Sequence, residues 1–227
     1  MTDLARLVAD ARGVLFDFDG VLADSEWYHF EAYRLAFERR GHRMDVIEYW
    51  RHWSDLGEGA PGEIRRHGLA GIEPGEIMAE KRTVFDRWAA QGRITLRPGA
   101  AELLTDFAAS GIPAAIASNT AAATIASLFA ARTGRDEVPV PVIGAPVGLR
   151  KKPFPDIFLE AARTLGVPPG GCLVVEDARK GVEAARAAGM EVVLLRSGEN
   201  RNFEYPEAAV EIGSLEELRR ALAASGR

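Results

Sequence analysis

The chain has 227 residues, of which 47% are hydrophobic, and it carries a formal net charge of −5 at pH 7. This composition is typical of a globular protein with one large core, or with a core and a smaller insert. The negative charge argues against a general affinity for nucleic acid. The first ten residues contain scattered charges and no apolar targeting segment, and no later stretch is long enough to span a membrane. We therefore expect a cytoplasmic monomer that binds neither nucleic acid nor membrane.

The first strong pattern is a short apolar run, Val14 to Phe16, that ends at Asp17 and Asp19 and is followed by Gly20. The run predicts a buried strand that presents charge at its C-terminal end, where open parallel sheets bind their ligands. Because strand side chains alternate between faces, the two carboxylates are expected on the same side of the chain. Such a pair favours a cation, and hard oxygen ligands suit Mg²⁺. The string Asp-Phe-Asp-Gly on its own is also an ordinary turn sequence.

The next stretch, up to residue 93, has no strong strand pattern but contains several segments with helical spacing. The spacing predicts helices over 26–40, 44–51 and 63–68, a loop over 54–62, and a longer helix that begins at Pro74. The buried stripe of the last helix is predicted to contain Ile77, Val84, Phe85 and Trp88. We therefore expect a helical insert, or lid, directly after the first strand.

From Pro98 onward, strand and helix patterns alternate, which is typical of βαβ units and a parallel sheet. The predicted helices are 99–110, 121–131, 155–165, 178–188 and 215–224. The predicted later strands are 113–117, 140–143, 172–175 and 192–195. The patterns therefore predict an α/β fold with a doubly wound, five-stranded parallel sheet. Residues 1–24 and 93–227 would form its discontinuous core, and residues 25–92 the lid.

Polar residues follow two of these later strands, and a lysine precedes one of the helices. Ser118 and Asn119 stand at the start of a helix, where they could contact a phosphate or cap the helix. Glu176 and Asp177 end the fourth strand, and two more acids in the same crevice would repel the first pair without a cation. Lys152 lies just before a helix that begins at proline, although paired lysines are also common on solvated surfaces.

In this order, the motifs are Asp-x-Asp, Ser/Thr, Lys and paired acids, and the chain resembles the haloacid dehalogenase-like hydrolase superfamily. Two strings are similar to the branch that contains phosphoglycolate phosphatases and β-phosphoglucomutases. They are Lys-Pro-x-Pro-Asp-x-Phe at 152–158 and Val-Glu-Asp-x-x-x-Gly-x-x-Ala-Ala-x-x-Ala-Gly-Met at 175–190. The resemblance covers the predicted core end to end, and that family also carries a lid after its first strand.

The resemblance implies a role for each matching residue. Asp17 would be the nucleophile that accepts the phosphoryl group, and Asp19 the acid and base. Ser118 and Asn119 would hold phosphoryl oxygens. Lys152 would lie between the nucleophile and the phosphoryl group.

The resemblance also implies a metal site. Mg²⁺ would be bound by the side chain of Asp17, the backbone carbonyl of Asp19, Asp177 and Glu176. Elementary electrostatics supports this set, because a carboxylate that attacks a dianionic phosphate needs positive charge around it.

The lid residues leave several alternatives open. His29 stands where a His-bearing segment occurs in the phosphoglucomutase-like branch, and it either couples the lid to Asp19 or forms a structural hydrogen bond. Trp50 and Trp53 have helical spacing that favours packing, although a closing lid also uses such residues. Four basic residues are expected on solvated helix faces: Arg65, Arg66, Lys81 and Arg82.

The function that these observations favour is a Mg²⁺-dependent phosphatase acting on a small phosphorylated metabolite, such as a sugar phosphate or phosphoglycolate. Two alternatives remain, namely a mutase of the β-phosphoglucomutase type and a non-catalytic protein that binds a phosphate ligand. In the mutases a basic residue of the lid loop binds a second phosphate. The predicted loop at 54–62 contains neither Lys nor Arg, which favours the phosphatase.

Overall fold

The structure is a computed structural model that describes residues 2–144, 148–198, 200 and 202–226. Its strands are β1 (Gly13–Phe16), β2 (Ala23–Asp24), β3 (Thr95–Leu96), β4 (Ala114–Ser118), β5 (Val142–Gly144), β6 (Cys172–Glu176), β7 (Glu191–Leu195) and β8 (Val210–Ile212). Strands β2 and β3 pair as an antiparallel ribbon. The other six form one parallel sheet in the order β5-β4-β1-β6-β7-β8.

Ten α-helices lie within the described residues. They are α1 (Asp3–Asp10), α2 (Glu26–Glu38), α3 (Val46–Glu48), α4 (Gly59–His67), α5 (Pro74–Ala90), α6 (Ala100–Ser110), α7 (Ala122–Thr133), α8 (Asp156–Leu165), α9 (Arg179–Ala187) and α10 (Leu215–Ala224). A π-helical turn, Tyr49–Asp55, follows α3, and a 3₁₀ turn, Pro169–Gly171, precedes β6. None of the helices in the described part of the chain combines the length and apolar character needed to cross a bilayer.

The central strand β1 fixes the position of the site. All four of its residues are buried, and its register pairs Phe16 with Ile116 of β4 on one side and with Val175 of β6 on the other. Because the three strands are parallel and in step, the residues after each strand lie at one edge of the sheet. The polar residues that follow β1, β4 and β6 are therefore brought together.

Alternation along β1 divides the core between the two faces of the sheet. Val14 and Phe16 pack among residues of α1, α6, α7 and α10, where the Phe16 and Phe107 rings meet edge to face at 5.3 Å. Leu15 points to the opposite face and packs among residues of α8 and α9. Helices on both faces make this a doubly wound α/β fold, as predicted.

The chain between β2 and β3 is helical and has a buried cluster of its own. Phe37, Tyr49, Trp53 and Ile77 belong to that cluster. Helix α5 begins at Pro74, and its predicted stripe of four apolar residues is buried. We refer to the elements α2–α5 as the insert.

Several details of the predicted elements were wrong. The sheet has six parallel strands rather than five, because the short edge strand β8 was not predicted. Helix α1 was not predicted either. The predicted helix at 44–51 is the short α3 and the π-helical turn that continues to Asp55. The predicted loop at 54–62 is shorter than expected, because α4 begins at Gly59. Pro61 lies in the first turn of α4. The backbone N–H groups of a first turn have no partner within the helix, so the missing N–H of proline costs no hydrogen bond there.

Candidate active site

A buried lysine joins the carboxylates that follow β1 and β6. Lys152 Nζ donates to Asp17 Oδ1 at 2.6 Å and to Glu176 Oε1 at 2.7 Å, and it lies 4.5 Å from the centre of the Phe158 ring. Burial alone would lower the pKa of Lys152. The charges and hydrogen bonds of the two carboxylates outweigh burial and raise that pKa well above its ordinary value. The lysine is therefore a fixed positive charge beside Asp17.

The negative charge around Asp17 exceeds the positive charge that Lys152 supplies. Burial raises its pKa to about 7, and the neighbouring charges of Glu176 and Asp19 act in the same direction against Lys152. An added cation next to Asp17 would lower this pKa and keep the carboxylate ionised at neutral pH. The surroundings of Asp17 thus favour a bound metal ion.

Asp19 has an environment of the opposite kind. Its Oδ1 accepts a hydrogen bond from Ser25 Oγ at 2.6 Å and lies 2.8 Å from His29 Nε2. Its Oδ2 accepts from Thr120 Oγ1 at 2.5 Å and from Ser118 Oγ at 3.3 Å. Burial would raise the pKa of Asp19, but the charge and hydrogen bond of His29, with the hydroxyl donors, hold it well below its usual range. The two aspartates of one motif therefore differ sharply in proton affinity.

His29, on α2 of the insert, packs against α5 while it contacts Asp19. Its ring stacks on Phe85 with a centroid distance of 4.0 Å and an interplanar angle of 2°. The side chain is buried and is the sole titratable group, among the described residues, that contacts the Asp19 carboxylate. The contact with Asp19 was one of the two alternatives for His29. Two partners of Asp19, Ser25 and Thr120, were not predicted, although Thr120 directly follows the predicted Asn119.

Ser118 and Asn119 lie at the C-terminal end of β4, next to these carboxylates. Besides donating to Asp19, Ser118 Oγ accepts the backbone N–H of Thr120 at 3.1 Å. Asn119 Oδ1 accepts the backbone N–H of Lys152 at 3.3 Å. Asn119 therefore fixes the loop that carries the lysine, a contact that the sequence did not predict.

Three buried carboxylates form a cluster with the chemistry of a metal site. Asp17, Glu176 and Asp177 each offer an oxygen, and these oxygens lie within 4.8 Å of one another. Glu176 Oε2 accepts the backbone N–H groups of Asp177 at 2.9 Å and of Ala178 at 3.3 Å, so both of its oxygens are engaged. No side chain in the described part of the structure donates a hydrogen bond to the Asp177 carboxylate, and burial raises its pKa well above its ordinary value. This unbalanced set of oxygen donors fits Mg²⁺.

Two glycines allow the carboxylates to approach the backbone closely. Gly20 has φ of 77°, and a Cβ there would overlap the Asp177 carboxylate. A Cβ at Gly181 would overlap the carboxylate of Glu176. Gly181, the glycine of the motif at 175–190, is therefore required because any side chain at this position would collide with Glu176.

A cavity of about 360 Å³ lies above these residues, between the sheet edge and the insert. The insert contributes Tyr49, Trp53 and the segment 57–61 to its wall. Lys81 of α5 also lines it, and burial lowers the pKa of this lysine to about 8. The prediction that Lys81 lies on a solvated face was wrong, because its long side chain reaches inward between Tyr33 and Phe85. A cation therefore does enter the cavity from the insert, but from a helix rather than from the loop.

A second contact joins the insert to the sheet beside the cavity. Asp55, at the end of the π-helical turn, accepts hydrogen bonds from the backbone N–H and Nε of Arg179, both at 3.2 Å. Tyr205 Oη donates to the same carboxylate at 3.1 Å. Asp55 is buried, so this bridge is shielded from water.

Comparison with known proteins identifies the class. A model of the haloacid dehalogenase-like hydrolase family matches residues 11–189. The chain is 33% identical over 212 residues to protein CbbY of Rhodobacter capsulatus, with 88% of this chain and 91% of that protein covered. It is 32% identical over 203 residues to hexitol phosphatase A of Escherichia coli K12, covering 82% and 83%. A solved structure of a CbbY mutant from Rhodobacter sphaeroides, in complex with xylulose-(1,5)-bisphosphate, has a TM-score of 0.79 at 29% identity and covers 91% and 96%.

These matches show that the protein is a hydrolase. The chain belongs to the haloacid dehalogenase-like hydrolase superfamily, and the family resemblance noted from its motifs is confirmed.

Proposed function

We propose that this protein is a Mg²⁺-dependent phosphatase that hydrolyses a small phosphorylated sugar through a phosphoryl group carried on Asp17. The observation that carries the proposal is the pairing of two aspartates in opposite environments at one cavity. Asp17 contacts the fixed charge of Lys152, and Asp19 contacts hydroxyls and the imidazole of His29. Groups whose surroundings separate their proton affinities are suited to different catalytic roles.

In the first half-reaction, an Asp17 oxygen attacks phosphorus and the bond from phosphorus to the leaving oxygen breaks. Asp19 delivers a proton to that oxygen, which leaves as an alcohol. Because its surroundings favour ionised Asp19, the proton for the leaving oxygen is shared between Asp19 and the His29 imidazole, which lie 2.8 Å apart. Lys152 offsets the negative charge shared by the nucleophile and the phosphoryl group.

In the second half-reaction, Asp19 is a carboxylate and takes a proton from water. The water oxygen attacks phosphorus, the bond to Asp17 breaks, and phosphate and free Asp17 result. The hydrogen bonds from Ser25 and Thr120 favour the ionised form of Asp19 that this step requires. Ser118 and Asn119, beside the carboxylates, would hold phosphoryl oxygens.

Asp17, the Asp19 backbone carbonyl and Asp177 would hold Mg²⁺, which when bound offsets charge on the phosphoryl oxygens. Glu176 was predicted as a further ligand. Because both of its oxygens are already hydrogen-bonded, we propose that its main role is to anchor Lys152 and the backbone after β6.

We further propose that residues 25–92 act as a lid over a core of residues 1–24 and 93–227. The cavity lies between these two parts, and closing it would exclude water other than the one that reacts. The names of the relatives support a phosphorylated sugar or sugar alcohol as substrate, since one is a hexitol phosphatase and a related structure holds a sugar bisphosphate.

Phosphate release from a panel of sugar mono- and bisphosphates, phosphoglycolate and p-nitrophenyl phosphate tests the proposal. We expect release that needs Mg²⁺, that stops on chelation and that is lost in Asp17→Asn. Conversion of β-glucose 1-phosphate to glucose 6-phosphate without free phosphate would instead identify a mutase. Binding of phosphate with Mg²⁺ but no turnover of any panel member would identify a non-catalytic protein.

A further inference from the structure

A second cluster of metal-ligating side chains lies in the insert, apart from the catalytic carboxylates. It consists of His42, Glu63 and His67, whose ligand atoms lie within 4.8 Å of one another. His42 follows α2, whereas Glu63 and His67 lie four residues apart on α4 and so share one face of that helix. The insert thus brings two imidazoles and a carboxylate to one point.

Both imidazoles converge on one carboxylate oxygen. Glu63 Oε1 lies 2.8 Å from His42 Nε2 and 3.6 Å from His67 Nε2. Ligand bonds to Zn²⁺ of about 2.0–2.1 Å separate neighbouring donors of a tetrahedron by about 3.3 Å, so the contact between Glu63 and His42 would lengthen by about 0.5 Å when the ion replaces its hydrogen bond. Glu48 Oε2 lies 2.8 Å from the same His67 nitrogen at the exposed side, but Glu48 does not belong to the set whose ligand atoms all lie within 4.8 Å of one another, so the fourth position is open to water.

The surroundings of Glu63 hold its carboxylate in place. The residue is 1% exposed, and its Oε2 accepts hydrogen bonds from Trp53 Nε1 at 3.0 Å and from an Arg66 terminal nitrogen at 2.6 Å. Hydrogen bonds of this kind orient ligating carboxylates in metal sites. They leave Oε1 directed at the two imidazoles. The His67 side chain is 34% exposed, which gives an ion access from solvent.

We propose that His42, Glu63 and His67 form a Zn²⁺ site in the insert, with water in the fourth position. Two imidazole nitrogens and one carboxylate oxygen suit Zn²⁺, whereas Mg²⁺ prefers oxygen ligands alone. The ion would join the segment after α2 to α4. It would stabilise the insert and take no part in phosphoryl transfer, so this inference goes beyond the proposed function.

Titration of the chelator-treated protein with Zn²⁺ tests the site, with Mg²⁺ at saturation to occupy the carboxylates near Asp17. Calorimetry and elemental analysis should give one bound Zn²⁺ per chain. Loss of a residue that merely orients a ligand lowers metal affinity about 10–100-fold, so His67→Ala should lower it at least that much. His52→Ala, which removes another histidine of the insert, is the matched control and should leave the affinity unchanged.

Co²⁺ gives a readout that does not depend on activity, because tetrahedral Co²⁺ has strong visible absorption. We expect this absorption in the wild type and in His52→Ala, and its loss in His67→Ala. His67 is the last residue of α4 and partly exposed, so this variant should fold even where His42→Ala does not, which circular dichroism checks. The proposal is overturned by a wild type that binds no Zn²⁺, by undiminished binding in His67→Ala, or by binding that is lost in Asp177→Asn alone.

Discussion

Replacing Asp19 with Asn keeps the shape of the side chain and removes its acid–base chemistry. Oδ1 faces Ser25 and His29, and Oδ2 faces two hydroxyls. With the amide nitrogen in the Oδ2 position, those hydroxyls can rotate to accept its hydrogens. The remaining loss corresponds to a charged hydrogen bond, about 1.5–3 kcal/mol of unfolding free energy at most. The variant should therefore fold.

Its turnover should nevertheless collapse. General acid–base groups contribute about 10²–10⁴-fold, which corresponds to about 2.7–5.4 kcal/mol of activation free energy at 1.36 kcal/mol per tenfold. The loss should fall mainly on the second half-reaction when the leaving group is p-nitrophenolate, because that anion departs without a proton. Stopped-flow absorbance should then show a burst of one p-nitrophenolate per active site, followed by very slow turnover.

The exposed Asp24 provides the matched control, since Asp24→Asn changes the same net charge on the same segment and should leave turnover unchanged. Mg²⁺ affinity of Asp19→Asn should be only modestly weakened, because the proposed ligand is a backbone carbonyl. Steady-state turnover of Asp19→Asn within tenfold of the wild type would refute the acid–base assignment.

Three further predictions follow from buried contacts. Because the Lys81 ammonium loses its proton as pH rises through about 8, KM for an anionic substrate should increase above that pH. The KM of Lys81→Arg should stay low at every pH, and the KM of Lys81→Met should stay high at every pH. A KM that still rises with pH in Lys81→Met would show that Lys81 is not the group responsible. Gly181→Ala should displace Glu176 and lower kcat by about 10²-fold, as misplaced catalytic groups typically do, with an unchanged circular dichroism spectrum. Unimpaired kcat would show that Glu176 has no part in positioning. Asp55→Asn should lower the free energy of unfolding in urea by about 1.5–3 kcal/mol, because it weakens the bridge to Arg179. An unchanged urea midpoint would contradict that estimate.

Sequence reasoning identified five of the six parallel strands, most of the helices around them and the polar residues at the carboxyl edge of the sheet, because those features depend on local patterns. Apolar runs that stop at charged residues, as at Asp17 and Glu176, predict where parallel strands end. The parallel register then brings the distant motifs together without further information. The same pattern does not predict β8, because its three residues form an edge strand with a weak apolar pattern.

The details of the insert depend on contacts between elements, which a single sequence does not reveal. Gly59 and Pro61 are typical of loops, yet tertiary packing makes them the first turn of α4. Helical spacing predicted that Lys81 lies on a solvated face. Periodicity alone does not reveal the cavity between the insert and the sheet, so this prediction was wrong. Thr120 carries no motif of its own, and only the folded loop after β4 brings its hydroxyl to Asp19.

The central claim is that the phosphoryl group passes through Asp17. Asp19→Asn enzyme mixed with p-nitrophenyl phosphate and Mg²⁺, quenched in acid during the burst and digested, should yield a peptide with one phosphoryl group on Asp17. Tandem mass spectrometry locates the group, and hydroxylamine, which cleaves acyl phosphates, should remove it. An unmodified Asp17 in the presence of a full burst, or a phosphoryl group on any other residue, would contradict the account.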